Sequence, residues 1–250
     1  MGRRAGTKGN RFAYRYLCGE LEFMGFQYDT DSSYTENGNV IRNIIVTLPG
    51  YIDSTVIIGA HFDGAVESYE GVHYSAAEDN GSGVVTLLML LKRFKDGYGI
   101  IERTIKCCFW DSEESFEGRA FRGSTHYAQQ LSATDKLLTL FYLNLDTIGH
   151  NHSGSNEIYF DYYGTERTAQ SVETIADNQR FEYHVSERKT QLVSDYASFY
   201  KIGVPYLSFH DHSGFTCKHA NHSVSDTPDA ISVDRLLKIT SNVIDLINIY

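Results

Sequence analysis

Apolar residues recur along the chain with two different periods. The stretch NRFAYRYLCGELEF, residues 10–23, has them at roughly helical spacing and predicts an amphipathic first helix. NVIRNIIVTLPG and STVIIGA follow; both are rich in β-branched residues, and a Pro-Gly pair ends the first. They predict a pair of strands, the second of them buried.

The next segments alternate helical patterns with short apolar runs. GSGVVTLLMLLKRFKD and FRGSTHYAQQL predict helices, while RTIKCCFW and LLTLFYLNLD predict strands. Strands and helices in this alternating order are typical of a parallel sheet with crossover helices. NEIYFDYY, RTAQSVETIADNQ, SDYASFYKIG, VPYLSFHD and SVDRLLKITSNVIDLINIY continue as strand, helix, helix, strand and helix. Residues 1–250 show no repeat, linker or compositional break, so we expect one α/β domain whose central, mostly parallel mixed sheet carries helices on both faces.

Composition narrows the classes of function. Hydrophobic residues make up 42% and charged residues 22% of the chain, as in ordinary globular proteins. No stretch approaches the ~18 continuous apolar residues of a membrane span. The net charge of −10 disfavours nucleic-acid binding through a basic face and mildly favours cations. Four cysteines are too few for a disulfide framework in a chain this long, and Cys107 and Cys108 fit a core strand.

Candidate chemistry lies where the predicted strands end. Open α/β sheets form their sites outside the carboxyl ends of the strands. Acidic residues or histidines follow four of the predicted strands, and two further acids precede the helix that begins at NGSG. They are His61 and Asp63, Asp111, Glu113 and Glu114, Asp146, His219 and His222, and Glu78 and Asp79.

Each of these residues alone has a simpler interpretation. Asp79 suits a helix cap, His61 a surface or hydrogen-bonded position, and DSEES a solvated turn. Their gathering at one sheet edge favours a metal site instead. Three carboxylates and two histidines without cysteine suit zinc first, with cobalt or manganese tolerated. Because five ligands exceed the three of a mononuclear catalytic zinc, two ions that share a carboxylate are expected, as in a two-metal hydrolase.

Seven segments in order along nearly the whole chain carry recognisable motifs. RAGTKGNRFAYRYLCGELEFMGF contains Gly-Thr-x-Gly-Asn, VIIGAHFD, which follows NIIVTLPG, contains Ala-His-x-Asp, and AEDNGSGVVTLLML contains Asp-Asn-Gly-Ser-Gly at a helix start. These segments resemble those of the zinc aminopeptidases of peptidase family M28. FWDSEESFEGRAFRGSTHY, LNLDTIG, SDYASFYKIGVPYL and HSVSDTPDAI resemble its Glu-Glu, Asn-x-Asp, Ser-Asp and His-x-x-x-Asp-Thr segments. The resemblance implies a zinc-exopeptidase-like fold.

The resemblance also implies a division of roles among these residues. A first zinc would be bound by His61 and Asp146 and a second by Glu114 and His222. Asp79 would bridge the two ions, and the peptide bond after it would be cis, as in the family.

Two further roles follow from the same resemblance. Glu113 would be the general acid/base that activates a water bridging the two metals. Asp63 would orient the His61 imidazole as a partner behind the ligand shell. Peptides with a free N-terminus would be the substrates. Asp111 and Glu117 stay interpreted as residues of a solvated turn.

Several histidines receive no role. The His-x-x-x-Asp-Thr spacing selects His222 over His219 as ligand, and no motif assigns His73, His210 or His212. Cys217 likewise stays unassigned. Where the family often has Ser-Asp-His, this chain has Tyr196 in the third position, so any family role there is in doubt.

Two alternatives stay open at this point. Glutaminyl cyclases share the fold and use one zinc, and FWDSEESF resembles their Phe-Asp-Gly-Glu-Glu-Ala-Phe. DNGSG and HSVSDTPDAI instead follow the peptidase pattern. A catalytically inactive binding module should lack a ligand, whereas all five positions and Glu113 are filled here. The opening MGRRAGTKGN has no apolar signal-peptide core, yet the resemblance allows an exported protein whose signal has been removed, so the compartment and the oligomeric state stay open.

Overall fold

The computed structural model describes residues 2–65, 74–150, 157–164, 170, 182–187, 192–211 and 222–249. Eight strands in this part of the chain form one sheet: β1 (Asp29–Tyr34), β2 (Val40–Leu48), β3 (Ile52–His61), β4 (Arg103–Trp110), β5 (Thr139–Leu145), β6 (Glu157–Tyr163), β7 (Glu182–Glu187) and β8 (Tyr206–His210). Six α-helices accompany them: α1 (Lys8–Phe23), α2 (Gly83–Lys95), α3 (Arg122–Gln130), α4 (Ala133–Leu138), α5 (Tyr196–Lys201) and α6 (Val233–Ile249).

The spatial order of the strands is β1-β2-β4-β3-β5-β8-β6-β7. The four central strands, β4, β3, β5 and β8, run parallel to one another. Antiparallel pairs join β1 to β2, β2 to β4 and β6 to β8, while β6 and β7 are parallel. The expectation of an α/β domain with a mostly parallel mixed sheet is confirmed. Since the central strands share one direction, their carboxyl ends meet at the same edge.

Side chains of the central strands alternate between two apolar cores, one on each face of the sheet. In β4, Cys107 and Phe109 enter the larger core, which α1, α2 and α6 cover, while Cys108 and Trp110 enter the smaller core beneath α3 and α5. All four side chains are fully buried. A strand buried on both faces reads as a continuous apolar run, which explains the run CCFW.

Most predicted elements are present, and the differences are local. The predicted strand LLTLFYLNLD begins only at Thr139, because its first two leucines lie in α4. The sequence patterns missed β1, β7 and α4. The pair β2 and β3 is consecutive but not adjacent, since β4 lies between them. The helix predicted from RTAQSVETIADNQ falls almost entirely outside the described residues. Among the described helices, none has the length and apolar content that a membrane crossing requires.

Candidate metal centre

Three of the predicted site residues meet at the ends of neighbouring parallel strands. His61 is the last residue of β3, Asp146 directly follows β5, and Glu113 lies just past the end of β4. Nε2 of His61 lies 3.4 Å from Oδ1 of Asp146 and 3.9 Å from Oε2 of Glu113. Together they form a group suited to a metal ion, here called the inner cluster. His61 and Glu113 are buried, and the side chain of Asp146 is 15% exposed.

A second group, the outer cluster, consists of Asp79, Glu114 and His222. Nε2 of His222 lies 2.9 Å from Oε1 of Glu114 and 3.3 Å from Oδ2 of Asp79. The other oxygen of Asp79, Oδ1, lies 3.2 Å from Nε2 of His61. The Asp79 carboxylate therefore faces one histidine of each cluster. The side chain of His222 is 56% exposed, unlike any other member of either cluster.

The two glutamates of the Glu113-Glu114 pair point to different clusters because the chain turns between them and the strand. Ser112, the residue before the pair, has a φ of 60°, in the left-handed region that non-glycine residues seldom adopt. Asp63 accepts hydrogen bonds from the backbone N–H groups of Glu113, at 3.0 Å, and Glu114, at 3.2 Å. The turn is thus fastened to the segment that follows β3.

Asp63 also stands beside the histidine that it was predicted to orient. Its Oδ1 lies 3.5 Å from Nδ1 of His61, a longer approach than its hydrogen bonds to the glutamate backbone. The orienting role stays a prediction. Asp63 also has a second role, because its hydrogen bonds hold the turn that carries Glu113 and Glu114.

Asp79 lies in a kinked turn, Ala77–Ser82, directly before α2. The peptide bond between Asp79 and Asn80 is cis, as the resemblance implied. Asn80 donates to the carbonyl of Leu145 at 2.8 Å, which ties the turn to the end of β5. Gly83 allows this approach, since a Cβ there would lie 2.4 Å from the Leu145 carbonyl oxygen. Gly83, the second glycine of the NGSG segment, therefore allows α2 to approach the end of β5 closely.

Asp226, the Asp of the His-x-x-x-Asp-Thr segment, holds the same turn from the other side. Its carboxylate accepts from the backbone N–H groups of Glu78, at 2.6 Å, and Asp79, at 3.1 Å. Asp226 is completely buried. The motif that selected His222 as a ligand thus also carries the residue that positions Asp79.

A chain of buried hydrogen bonds ends on Asp146. Trp110 Nε1 donates to the Tyr142 hydroxyl at 3.0 Å, and that hydroxyl donates to Oδ1 of Asn144 at 2.9 Å. Nδ2 of Asn144 then donates to Ser194 Oγ at 3.0 Å, and Ser194 donates to Oδ2 of Asp146 at 2.6 Å. The chain fixes the Asp146 carboxylate and leaves its Oδ1 facing His61.

Burial and charge shift the pKa values of the inner cluster. Burial opposes protonation of His61, but the carboxylates of Glu113 and Asp146 outweigh it and raise the pKa of His61 well above its usual value. Burial raises the pKa of Glu113 well above the ordinary range, with His61 acting against the rise. Both shifts have one cause, the crowding of carboxylates around an imidazole in a buried position, and a metal cation would relieve it.

In the outer cluster the shifts have the same origin. Hydrogen bonds to Asp79 and Glu114 raise the pKa of His222 to about 10. Although burial opposes ionisation of Asp79, the nearby imidazoles of His222 and His61 lower its pKa below the usual value. Both histidines thus supply positive charge to the shared carboxylate.

The donor set fits divalent cations. His61 Nε2 lies within 4 Å of three carboxylates but makes no well-aligned hydrogen bond, and Oδ1 of Asp146 is likewise buried without one. Buried polar atoms are normally hydrogen-bonded, so ligand atoms left free and aimed at one another indicate a metal position. Imidazole and carboxylate ligands without thiolate are the set preferred by zinc among the common borderline ions.

Comparison with known proteins identifies the family. The sequence model of peptidase family M28 matches residues 43–247. The chain belongs to peptidase family M28. An aminopeptidase of Pseudomonas aeruginosa strain UCBPP-PA14 is 31% identical over 180 residues, which cover 69% of this chain and 30% of that protein. The M28 chain therefore spans less than a third of that relative's length.

Solved structures share the fold of this M28 chain. A Zn-dependent exopeptidase from Parabacteroides distasonis superposes with a TM-score of 0.78 at 17% identity, covering 99% of this chain and 92% of that one. A glutaminyl cyclase from an Acidobacteriales bacterium gives a TM-score of 0.78 at 22% identity, covering 98% and 87%. At these identities the likeness concerns the fold alone, and it is shared by both kinds of enzyme.

Some predicted interpretations change within this M28 domain. Asp111 is buried, not solvated: it accepts from Asn10 Nδ2 at 2.8 Å and from the backbone N–H of Arg42 at 3.0 Å. Burial raises its pKa to about 7. Glu117 lies near the surface and accepts from Asn39 at 2.7 Å, closer to its expected turn role.

The remaining candidates lie elsewhere or outside the described residues. His210 ends β8, and its Nε2 lies 3.0 Å from Oδ2 of Asp161, outside both clusters. Tyr196, at the position where the family often has histidine, stacks on Tyr206 at 4.5 Å within the smaller core. The structure does not describe four residues that were left without a role: His73, His212, Cys217 and His219.

Ser194 and Asp226 lie within the recognised motifs, yet no role was predicted for either residue. Their positions in the Ser-Asp and Asp-Thr segments were the available signal. Each makes a hydrogen bond to a candidate ligand that is distant in sequence. Such contacts depend on the packing of separate elements, which local patterns do not encode.

Proposed function

We propose that this M28 domain is a zinc-dependent aminopeptidase that removes N-terminal residues from peptides. One zinc would be held by His61 and Asp146, the other by Glu114 and His222, and Asp79 would be shared. The observation that carries the proposal is the position of Asp79, whose two oxygens lie 3.2 Å from Nε2 of His61 and 3.3 Å from Nε2 of His222. A carboxylate placed between two ligand groups suits a pair of ions better than a single one.

The ions, when bound, would lower the pKa of a shared water towards neutrality and polarise the scissile carbonyl. Glu113 would do the proton transfer. It lies at the edge of the inner cluster, its backbone is fixed by Asp63, and burial raises its pKa, which suits a group that must return a proton as well as accept one. It would take a proton from the attacking water and deliver it to the leaving amine.

The same centre favours a substrate with a free N-terminal amine. An uncharged amine nitrogen is a ligand that a bound zinc ion would accept, and the carboxylates of the two clusters would accept hydrogen bonds from its N–H groups. Attraction of that amine would align the first peptide bond with Glu113, which explains hydrolysis at the chain end and not at an internal bond. The proposal concerns this domain, because the P. aeruginosa relative is considerably longer.

A glutaminyl cyclase is the second candidate, favoured by the structural likeness to the Acidobacteriales enzyme. An enzyme of that class would act on the same kind of substrate end but form a ring without consuming water. Filled ligand positions in both clusters favour two ions and hydrolysis over the single zinc expected of a cyclase.

Metal analysis and two assays on one preparation test the proposal. About two zinc ions per chain and release of a chromophore from aminoacyl anilides are expected. One zinc with cyclisation of an N-terminal glutamine, and no anilide hydrolysis, would assign the cyclase instead. Neither zinc nor either activity would leave a peptidase-like binding module.

A further inference from the structure

The N-terminal segment, residues 3–10, lies against the metal centre although the family match begins only at residue 43. At its first position, Arg3 is half-buried and directs its guanidinium at backbone carbonyls beside the site. At its last position, Asn10 is buried in the first turn of α1. This segment includes the Gly-Thr-x-Gly-Asn motif, to which the proposed reaction gives no task.

Arg3 connects the segment that follows His61 to the segment that precedes Asp79. Its Nε donates to the carbonyl of Phe62 at 2.9 Å, one residue after His61. Its Nη1 and Nη2 donate to the carbonyls of Ser75 and Ala76, each at 2.8 Å. Ala76 lies directly before the kinked turn that carries Asp79, so one guanidinium contacts both the residue after His61 and the segment that leads into Asp79.

The backbone of Ala76 has an unusual conformation, and its carbonyl accepts two hydrogen bonds. Ala76 has a φ of 55°, in the left-handed region, and its carbonyl also accepts from the backbone N–H of Gly81 at 3.1 Å. An unusual backbone conformation persists where surrounding contacts fix it. The contact with Arg3 is one of those contacts, and it lies three residues before Asp79.

The other end of the segment reaches the glutamate pair. Nδ2 of Asn10 donates to Oδ1 of Asp111 at 2.8 Å, two residues before Glu113, and lies 3.3 Å from the carbonyl oxygen of Arg3. Residues 3–10 therefore contact the three segments that carry His61, Asp79 and Glu113.

We propose that Arg3 is a positioning residue that sets the distance between Asp79 and His61, and thereby the zinc affinity of the centre. A guanidinium suits this task because its N–H groups diverge in a rigid plane and can serve three carbonyls at once. The single ammonium of lysine has no such fixed fork. The proposal rests on the two-zinc centre proposed above, but it does not depend on which reaction the centre catalyses.

The test compares Arg3→Ala with Arg11→Ala. Arg11 also donates to a carbonyl, that of Gly6 at 3.0 Å, but this bond joins residues close in sequence and reaches neither cluster. Zinc affinity is measured by chelator competition without peptide substrate, and thermal unfolding is recorded for both. Arg3→Ala is expected to weaken zinc binding about ten- to hundredfold, the range typical of residues that orient metal ligands. Arg11→Ala is expected to leave zinc affinity unchanged.

Chemical rescue separates positioning from a general loss of stability. N-ethylguanidinium replaces the atoms that Arg3→Ala removes, and it is expected to restore zinc affinity in a saturable manner, whereas ethylammonium is not. Equal rescue by both cations would overturn the role of the guanidinium fork, as would wild-type zinc affinity in Arg3→Ala. If Arg3→Ala does not fold, Arg3→Lys is titrated in the same way, and wild-type affinity in that variant would also refute the proposal. A wild-type domain that binds zinc without hydrolysing anilides would reject the proposed function while leaving this measurement decisive.

Discussion

The inner and outer clusters share a carboxylate but differ in how the fold supports them. His61 ends one central parallel strand and Asp146 directly follows another, and Asp146 is fixed by a hydrogen-bond chain that reaches Trp110. His222 lies beyond a stretch that the structure does not describe, has a φ of 54°, and leaves 56% of its side chain exposed. The inner cluster is thus part of the packed core, while the outer cluster is completed by a surface residue.

This difference has a general cause. A residue at the end of a central strand is positioned by the ladder hydrogen bonds and apolar packing that also hold the domain together. A surface residue is positioned by fewer contacts, and its bond to a metal ion contributes more of its order. We therefore expect the inner position to be organised before metal binds and the outer position to be organised largely by the ion.

The largest effect should come from removing the feature that the clusters share. In Asp79→Asn the side-chain volume is kept and the backbone bonds to Asp226 can remain, but the negative charge between the histidines is lost. Zinc should leave both positions at lower chelator concentration, and turnover should fall about 10³-fold or more, equivalent to about 4 kcal/mol of barrier. Zinc content and anilide hydrolysis measure this. Retention of one tightly bound zinc would show that Asp79 serves a single cluster.

A pair of matched variants should separate the clusters next. Glu113→Gln removes the proposed proton carrier and is expected to lower turnover about 10²- to 10⁴-fold while both zinc ions stay bound. Glu114→Gln makes the same change one residue later, where the side chain faces His222, and should release the outer zinc. Near wild-type rates in Glu113→Gln would exclude it as the acid/base, and equal zinc loss in both variants would remove the distinction between the two glutamates.

The sequence patterns brought the residues of the inner cluster together but did not indicate which residues hold them in position. Candidate ligands at the ends of apolar strands can be located from the strand pattern, as with His61 and Asp146. The turn after β4 is harder to predict from sequence. The local pattern around Asp111 is that of a solvated acidic turn, and only the hydrogen bonds from Asn10 and from the Arg42 backbone show that its carboxylate is buried. Whether a charged group is buried depends on helices and strands that are distant in sequence, and the local periodicity of apolar residues does not predict those contacts.

The same reasoning explains the missed elements of the fold. β1, with the sequence DTDSSY, is an edge strand with little apolar alternation, and only its pairing with β2 defines it. The order of β2, β4 and β3 depends on long-range pairing. By contrast, α4 had a local signal, since Ser132 and Asp135 form a capping box that could have been recognised.

A smaller effect should distinguish the supports of the inner cluster. Ser194→Ala removes the hydroxyl that donates to Asp146 at 2.6 Å and is expected to weaken inner zinc binding about ten- to hundredfold, with the outer position little changed. Ser198→Ala is the control, because that buried hydroxyl bonds to Ser124 and Thr125 and touches neither cluster. Stepwise chelator titration compares them. Equal losses at both positions would mean that the clusters do not respond separately.

The smallest effect should show how far into the core this support extends. Tyr142→Phe leaves the indole N–H of Trp110 buried without an acceptor, so the free energy of unfolding should drop by about 1–3 kcal/mol. Zinc affinity should fall by less than the roughly ten- to hundredfold expected for Ser194→Ala, because Asn144 still reaches Ser194. Tyr127→Phe removes a hydroxyl from the same aromatic group, outside the hydrogen-bond chain, and serves as control in denaturant titrations of the metal-free protein. Tyr142→Phe could instead lose as much zinc affinity as Ser194→Ala. The whole series of hydrogen bonds from Trp110 to Asp146 would then orient the Asp146 carboxylate. The inner cluster would be coupled to the smaller core more tightly than its direct contacts indicate.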